Sequence, residues 1–237
     1  MELDLNRDMN EMEEGSEPVV ICPVCGQAVN NHAAEELYTV DFVESDFRVR
    51  TLDDDILDTW LVFCHHCLYI THDFRYIPDQ ISSVRECVST ADYRSRFTDT
   101  NPTTLELFEH YVYLLENLKA PAMVFADTYL RMSWLYDDDQ NDGMANRYRE
   151  KAIVHYAKAL LTGGLSEKDV SMIYYYIAEL SRRNGDFDRA RRSLLKMDTE
   201  IPMFRRLFDF QLLLIRDHND GAAIMPREVN QHDDQLS

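Results

Sequence analysis

The sequence predicts an α+β, mostly α fold, in which a small four-cysteine zinc ribbon of short antiparallel strands precedes a tetratricopeptide-like stack of antiparallel helices. Three observations predict this. Two Cys-x-x-Cys pairs lie 38 residues apart near the amino terminus. β-branched and aromatic residues alternate in short runs before residue 77, as in short strands. Beyond Pro78 the apolar residues recur with helical spacing to about residue 217.

The cysteine pairs have the spacing of metal-binding knuckles. Two sulfurs of one short turn can bind the same tetrahedral ion at about 2.3 Å, and a second turn completes a shell of four thiolates. We therefore expect one structural zinc ion, with rubredoxin-like iron or a redox-active dithiol as alternatives. The second pair already supplies two ligands, so we interpret His65 and His66 as exposed bystanders. The expected metal ligands are Cys22, Cys25, Cys64 and Cys67.

The composition disfavours two classes of function. The formal charge of −19 repels phosphate backbones, so nucleic-acid binding driven by overall charge is not expected. The amino terminus is acidic where a secretory signal is basic, and no apolar run reaches the roughly 18 residues of a membrane span. We expect a cytoplasmic protein with no membrane contact. Disulfides rarely persist there, which favours metal binding by the paired cysteines and leaves Cys87 without a partner.

The amino-terminal third divides into two parts. Residues 1–18 contain seven acidic residues and one arginine, a composition typical of a disordered tail. Residues 19–77 form the predicted ribbon domain, with strands at about 37–43, 47–50 and 60–63. So small a sheet buries little apolar surface, and the metal ion is its expected source of stability.

Residues 78–217 form the predicted helical domain, and residues 218–237 read as a disordered tail. The helices are expected at about 79–97, 103–118, 121–136, 145–161, 167–184, 187–197 and 202–217. The acidic run from Asp137 to Gly143 is expected to be a solvated linker that lengthens one connection between helices. It lacks the spacing and the distal glutamate of an EF-hand calcium loop. The run Asp53-Asp54-Asp55 is likewise read as a solvated turn.

One segment matches the 34-residue tetratricopeptide pattern. Small residues in both helices allow close approach, a glycine suits the left-handed turn, and a proline closes the unit. Because isolated repeats are unstable, neighbouring helix pairs are expected to stack as a short solenoid. The matching residues are Tyr174, Ile177, Ala178, Gly185, Ala190, Leu194 and Pro202.

The order of these motifs resembles a bacterial family. The chain resembles the family called domain of unknown function 2225 in three motifs. The first two are a Cys-Pro-x-Cys-Gly knuckle and a second Cys-x-x-Cys after a strand that begins with Trp. The third is the segment Ile177-Ala178-Glu179-Leu180-Ser181-Arg182-Arg183-Asn184-Gly185-Asp186-Phe187. The resemblance covers roughly residues 20–216. Family members carry Gly after the second knuckle, where this chain has Leu68, and a side chain there resists a positive φ. The resemblance implies no known reaction.

The leading functional hypothesis is a zinc-stabilised adaptor that binds a protein or peptide through a helical groove. In a stack of this type, the first helix of each pair lines a concave surface. Aromatic or thioether surfaces beside arginines would suit an extended peptide with an acidic group. An alternative is that these side chains pack against a neighbouring helix. The candidate partner-binding residues are Met172, Tyr175, Glu179, Arg182 and Arg183.

Catalysis is not expected. The sequence contains no phosphate-binding glycine loop, no His-Glu-x-x-His and no nucleophile elbow. Four protein ligands would also leave the metal ion no position for a substrate. Two other hypotheses stay open: nucleic-acid binding through the ribbon and the arginine-rich stretch 189–206, and redox sensing by the cysteines. The identity of the partner and the oligomeric state have no signature in the sequence.

Overall fold

The computed structural model describes residues 19–30, 39–52, 55–97 and 101–226. The described chain is mostly helical, with short antiparallel strand pairs towards its amino terminus. The predicted fold class is confirmed. The predicted acidic tail, residues 1–18, lies outside the described residues. None of the described helices is both long and apolar enough to cross a membrane.

In the described residues, three two-stranded antiparallel sheets precede the helices. The first pairs β1 (Val19–Ile21) with β2 (Ala28–Asn30), the second β3 (Val40–Val43) with β4 (Val49–Thr51), and the third β5 (Val62–Phe63) with β6 (Ile70–Thr71). A short 3-10 helix, Ile56–Thr59, connects β4 to β5. Each cysteine pair therefore forms the turn of a hairpin, β1–β2 or β5–β6.

Eight α-helices occupy the rest of the described chain, close to the predicted positions. They are α1 (Ile81–Ser89), α2 (Ala91–Ser95), α3 (Thr104–Leu118), α4 (Ala122–Asp138), α5 (Asp142–Thr162), α6 (Glu167–Arg183), α7 (Phe187–Leu194) and α8 (Pro202–Arg216). Consecutive helices from α3 to α8 pack against each other. Side chains of α3 to α6 form the largest apolar cluster.

Local signals in the sequence set several helix ends. Helices α3 and α6 begin with capping boxes at Thr103 and Ser166. In each box the acidic side chain three residues later accepts a hydrogen bond from the backbone N–H of the capping residue. Gly185 has φ +76° at the turn between α6 and α7, as the repeat pattern requires. Ala178 and Ala190 are fully buried, which lets α6 and α7 approach closely. Pro202 lies in the first turn of α8.

The predicted acidic linker is shorter than expected. Helix α4 continues to Asp138 and α5 begins at Asp142, so only three residues connect them. The carboxylates of Asp137 and Asp138 bind arginines instead of facing solvent alone. Ion pairs with other elements keep these two aspartates helical, which the local composition could not reveal.

The hairpin β3–β4 does not pack with the cysteine pairs. Its tip lies against α4 and α6, where Ser45 and Arg48 contact Glu179 and Trp134. The chain after α8 then crosses the hairpin: Ser45 N donates to Ala223 O at 2.7 Å, and Met225 N donates to Val43 O at 2.8 Å. The predicted disordered tail from residue 218 is therefore wrong for residues 219–225. Residues 227–237 lie outside the described chain.

Candidate metal centre

The two cysteine pairs meet at one site. The Sγ atoms of Cys22 and Cys67 are 3.8 Å apart, those of Cys25 and Cys64 are 3.6 Å apart, and all four lie within 4.8 Å of one another. None of the four forms a disulfide. Four sulfurs placed about 2.3 Å from a central tetrahedral ion would be about 3.8 Å from each other. The observed spacing fits a single bound metal ion, although it does not identify the metal.

Both knuckles have the same backbone geometry. Gly26 N donates to Cys22 O at 2.9 Å, and Leu68 N donates to Cys64 O at 2.7 Å. Gly26 has φ +75° and Leu68 has φ +67°. Leu68 therefore adopts the left-handed conformation that its side chain was expected to resist. The contacts around the knuckle outweigh the roughly 1–2 kcal/mol that this conformation costs an L-residue.

Helices α1 and α2 support the knuckles from one side. Arg85 donates from Nε to Val24 O at 3.0 Å and from Nη2 to Pro23 O at 3.1 Å. Tyr93, fully buried, donates its hydroxyl to Leu68 O at 2.7 Å. Both knuckles are thus fixed to the same helical surface, which holds the two pairs in register.

The thiols of the cluster differ in pKa, because they form hydrogen bonds with one another. Hydrogen bonds from Cys64 and Cys67 lower the pKa of Cys22 to about 3, with smaller contributions from the backbone of Cys25 and Val24. The hydrogen bond to Cys22 raises the pKa of Cys67. One thiolate is therefore favoured within the cluster at neutral pH. A cation placed among the sulfurs would be stabilised by this charge and would displace the remaining protons.

The histidines of the second knuckle and the fifth cysteine lie outside this cluster. His65 and His66 are exposed, and the His65 ring packs on Phe63 with centroids 4.2 Å apart. Cys87 is buried in the apolar cluster beneath the knuckles, and burial raises the pKa of its thiol. In the described part of the chain, only the four knuckle cysteines form a group that could hold a metal ion.

The predicted partner-binding residues do not form an open groove. Tyr175, Glu179 and Arg182 are fully buried, the Arg183 side chain is 7% exposed, and Met172 is half-buried. The expectation that these residues face a partner is corrected by this placement. The tip of hairpin β3–β4 and the chain after α8 occupy the surface that they line.

The residues that occupy this surface had no signature in the sequence. Ser45, Asp46 and Arg48 are at most 2% exposed, although a run of charged residues is ordinarily solvated. Arg48 lies between the carboxylates of Asp55 and Asp138 and also donates to the backbone of α4. Asp55, predicted in a solvated turn, caps the 3-10 helix and binds Arg48.

Comparison with known proteins agrees with the predicted resemblance. Residues 16–206 match the model of a family described as an uncharacterized protein conserved in bacteria (DUF2225). The chain belongs to the DUF2225 family. The matched region contains both knuckles, the hairpin β3–β4 and the helices through α7. No curated protein and no solved structure is significantly similar to the chain. Membership of DUF2225 therefore brings no reaction, ligand or partner to the site.

Proposed function

We propose that the protein is a non-enzymatic adaptor in which a structural zinc ion holds the amino-terminal hairpins and the helices bind an acidic segment of a partner protein. The cluster of four sulfurs supports a closed structural metal site of the kind that zinc commonly occupies, since protein ligands would fill all four positions of a tetrahedral ion. A closed site leaves no position for a substrate or a reactive water. Its contribution would be to stabilise the amino-terminal hairpins.

The groove between α7 and α8 supports partner binding better than the surface predicted from the sequence. It has a volume of about 410 Å³ and an apolar floor formed by Phe187, Leu212 and Ile215. Arg191 and Arg216 lie at its rim, and both are exposed. This open groove, with an apolar floor and two exposed arginines at its rim, is the observation on which the proposed binding depends.

This region lacks the strong negative charge of the rest of the chain, so it would repel an acidic partner less. Residues 186–217 contain seven basic and six acidic side chains, whereas the whole chain has a formal charge of −19. Asp188 lies at the same groove and Asp217 pairs with Arg216 at 3.0 Å, so the groove is not uniformly basic. A segment with an apolar side chain beside a carboxylate could place the first on the floor and pair the second with Arg191.

Charge reversal tests this proposal. Arg191→Glu with Arg216→Glu is expected to weaken capture of a partner from bacterial extract by at least about tenfold, since the ion pair with Arg191 and the attraction of Arg216 for an acidic segment both become repulsive. The matched control is Arg192→Glu with Arg205→Glu, which makes the same charge change at exposed positions outside the groove lining. Metal content and helicity should be unchanged in both variants.

The captured material decides between outcomes. Equal capture by the groove variant and the control would refute the α7–α8 site. Capture that disappears after nuclease treatment and falls steeply with salt would instead indicate nucleic-acid binding. Elemental analysis of the reduced protein tests the metal assignment, since about one zinc per chain is expected and iron would require revision.

A further inference from the structure

The tip of hairpin β3–β4 is an unusual segment to find inside a helical stack, because it is almost entirely polar. Glu44, Ser45, Asp46 and Arg48 are 6%, 0%, 2% and 1% exposed. Phe47 is the one apolar residue among them, and its ring packs near those of Tyr175 and Tyr176. Hydrogen bonds and ion pairs, rather than apolar burial, therefore hold the tip in place.

The tip binds a defined set of helical side chains, here called the tip site. The tip site consists of Trp134, Tyr175, Glu179, Arg182 and Arg183, which contact the tip, together with Gln211, which donates to Tyr175 and Glu179. Ser45 is held from three directions. Its hydroxyl donates to Glu179 Oε1 at 2.7 Å and accepts from Arg182 Nη2 at 3.2 Å. Its carbonyl oxygen accepts from the Tyr175 hydroxyl at 2.7 Å.

The acidic neighbour of Ser45 is recognised as well. Trp134 Nε1 donates to Asp46 Oδ2 at 2.7 Å, and Arg183 Nη1 lies 3.6 Å from the same oxygen. Arg48 then anchors the far side of the tip by donating to Trp134 O at 3.1 Å. The tip site thus binds the carbonyl oxygen and the hydroxyl of Ser45 and the carboxylate of Asp46, as a peptide-binding site binds consecutive residues of its ligand.

The fit between the tip and the tip site is incomplete. Arg183 Nη1 and Gln211 Oε1 are buried and have no hydrogen-bond partner among the described residues. Unpaired buried polar atoms are costly, and most native proteins contain few of them. A segment that placed an acceptor near Arg183 and a donor near Gln211 would satisfy both atoms while keeping the other contacts.

The tip is also held in a conformation that it does not prefer. Phe47 has φ +64°, in the left-handed region that bulky L-residues avoid. Such conformations persist where the surroundings impose them. The backbone preference of Phe47 therefore opposes the bound form of the tip, and the contacts of the tip site maintain it.

We propose that the tip site is a recognition site for a turn carrying a hydroxyl followed by a carboxylate, which the chain fills with its own Ser45-Asp46. The external ligand is a turn of the same chemistry in a partner protein, and it competes with the internal one. This proposal is independent of the α7–α8 groove, since the two surfaces share no residue.

A variant that releases the hairpin and leaves the tip site unchanged tests the proposal. Ser45→Ala with Arg48→Ala removes the hydroxyl and the anchoring guanidinium, both of which belong to the hairpin. The probe is a fluorescent synthetic peptide with the sequence of residues 40–51. Hydrogen exchange of residues 40–51 should increase in the variant, and the peptide should bind it with a Kd at least about tenfold lower than for the unsubstituted protein.

Two controls make the result specific. Arg50→Ala makes the same charge change on the same hairpin, but Arg50 binds Glu44 and Asp138 outside the tip site. The Arg50→Ala variant should therefore bind the peptide no better than the unsubstituted protein does. A peptide with Ser45→Ala should bind the released variant several-fold more weakly, because it lacks the hydroxyl that Glu179 and Arg182 contact.

Three results would overturn the proposal. The first is an opened hairpin without peptide binding, or with equal binding of both peptides. The second is a hairpin that stays protected from exchange in the Ser45→Ala, Arg48→Ala variant. The third is loss of helix content in that variant, which would show that the hairpin is an inseparable part of the core.

Discussion

Replacement of Glu179 by alanine should destabilise the fold more than any comparable surface change. Glu179 is fully buried and accepts hydrogen bonds from Arg182 Nε at 3.0 Å and Nη2 at 2.7 Å, and from Ser45 Oγ at 2.7 Å. Burial alone would raise its pKa, but the Arg182 charge and these hydrogen bonds outweigh burial, so the pKa lies below its usual value. The carboxylate is therefore ionised and paired at neutral pH.

The magnitude follows from the charge that remains. Without Glu179 the Arg182 guanidinium stays buried and keeps only neutral partners, the Ser45 hydroxyl and the backbone oxygens of Asn219 and Gly221. Removing one partner of a buried ion pair costs about 3–5 kcal/mol, a large fraction of the roughly 5–15 kcal/mol that stabilises a typical domain. Glu179→Gln keeps an acceptor for Ser45 and should cost less, about 1–3 kcal/mol.

A double substitution separates the pair from its surroundings. Glu179→Met with Arg182→Met replaces both charges by apolar side chains, so no charge is stranded. Its cost should be smaller than that of Glu179→Ala and should come mainly from the lost partners of Ser45 and Gln211. Urea unfolding of the metal-loaded variants at pH 7, followed by circular dichroism, measures each free energy. A Glu179→Ala cost below about 1 kcal/mol would refute the burial of this pair.

Three further predictions concern the knuckles and the hairpin. Gly26→Ala should lower the free energy of unfolding by about 1–2 kcal/mol, because Gly26 has φ +75°. Gly143→Ala should raise it by about 0.5–1 kcal/mol, because Gly143 is helical and has room for a methyl group. Thermal unfolding of the two variants measures both changes. Cys64→Ser should abolish stoichiometric metal binding and raise hydrogen exchange in both knuckle hairpins, while exchange in α4 and α5 stays unchanged; full metal retention would contradict the four-sulfur site. Burial and the Glu179 charge raise the pKa of Asp46 to about 6 from an ordinary 3.8, so the folded state binds this proton more tightly. The Asp46 contribution should therefore stabilise the fold by up to about 3 kcal/mol as pH falls from 7 to 4, and Asp46→Ala should remove that part of the pH dependence in urea titrations.

The sequence predicted the elements that depend on local signals. Helix ends followed capping residues such as Thr103 and Ser166, and the turn before α7 followed Gly185. These signals act within four residues, so they can be recognised without knowledge of the fold. The paired cysteines belong to the same class, since each pair lies in one short turn. Their meeting was predictable because tetrahedral coordination by thiolates requires it.

The sequence could not predict which polar residues are buried. The composition around Asp137 and Asp138 predicts a solvated linker, yet each binds arginines from other elements. The repeat pattern predicts an open surface at Tyr175 and Arg182, yet both are covered by a hairpin about 130 residues away in the chain. A buried ion pair and an exposed charge look the same in sequence, because the distinction depends on partners brought together by folding.

By itself the sequence determined the order of the helices, the two cysteine turns and the family to which the chain belongs, because each depends on spacing within a short segment. The tertiary structure alone decided that hairpin β3–β4 lies away from the cysteine pairs, with its polar tip against α4 and α6. It also decided that the chain after α8 crosses this hairpin. Both outcomes result from long-range hydrogen bonds among buried polar groups, whose partners are separated by tens of residues or more and leave no local pattern.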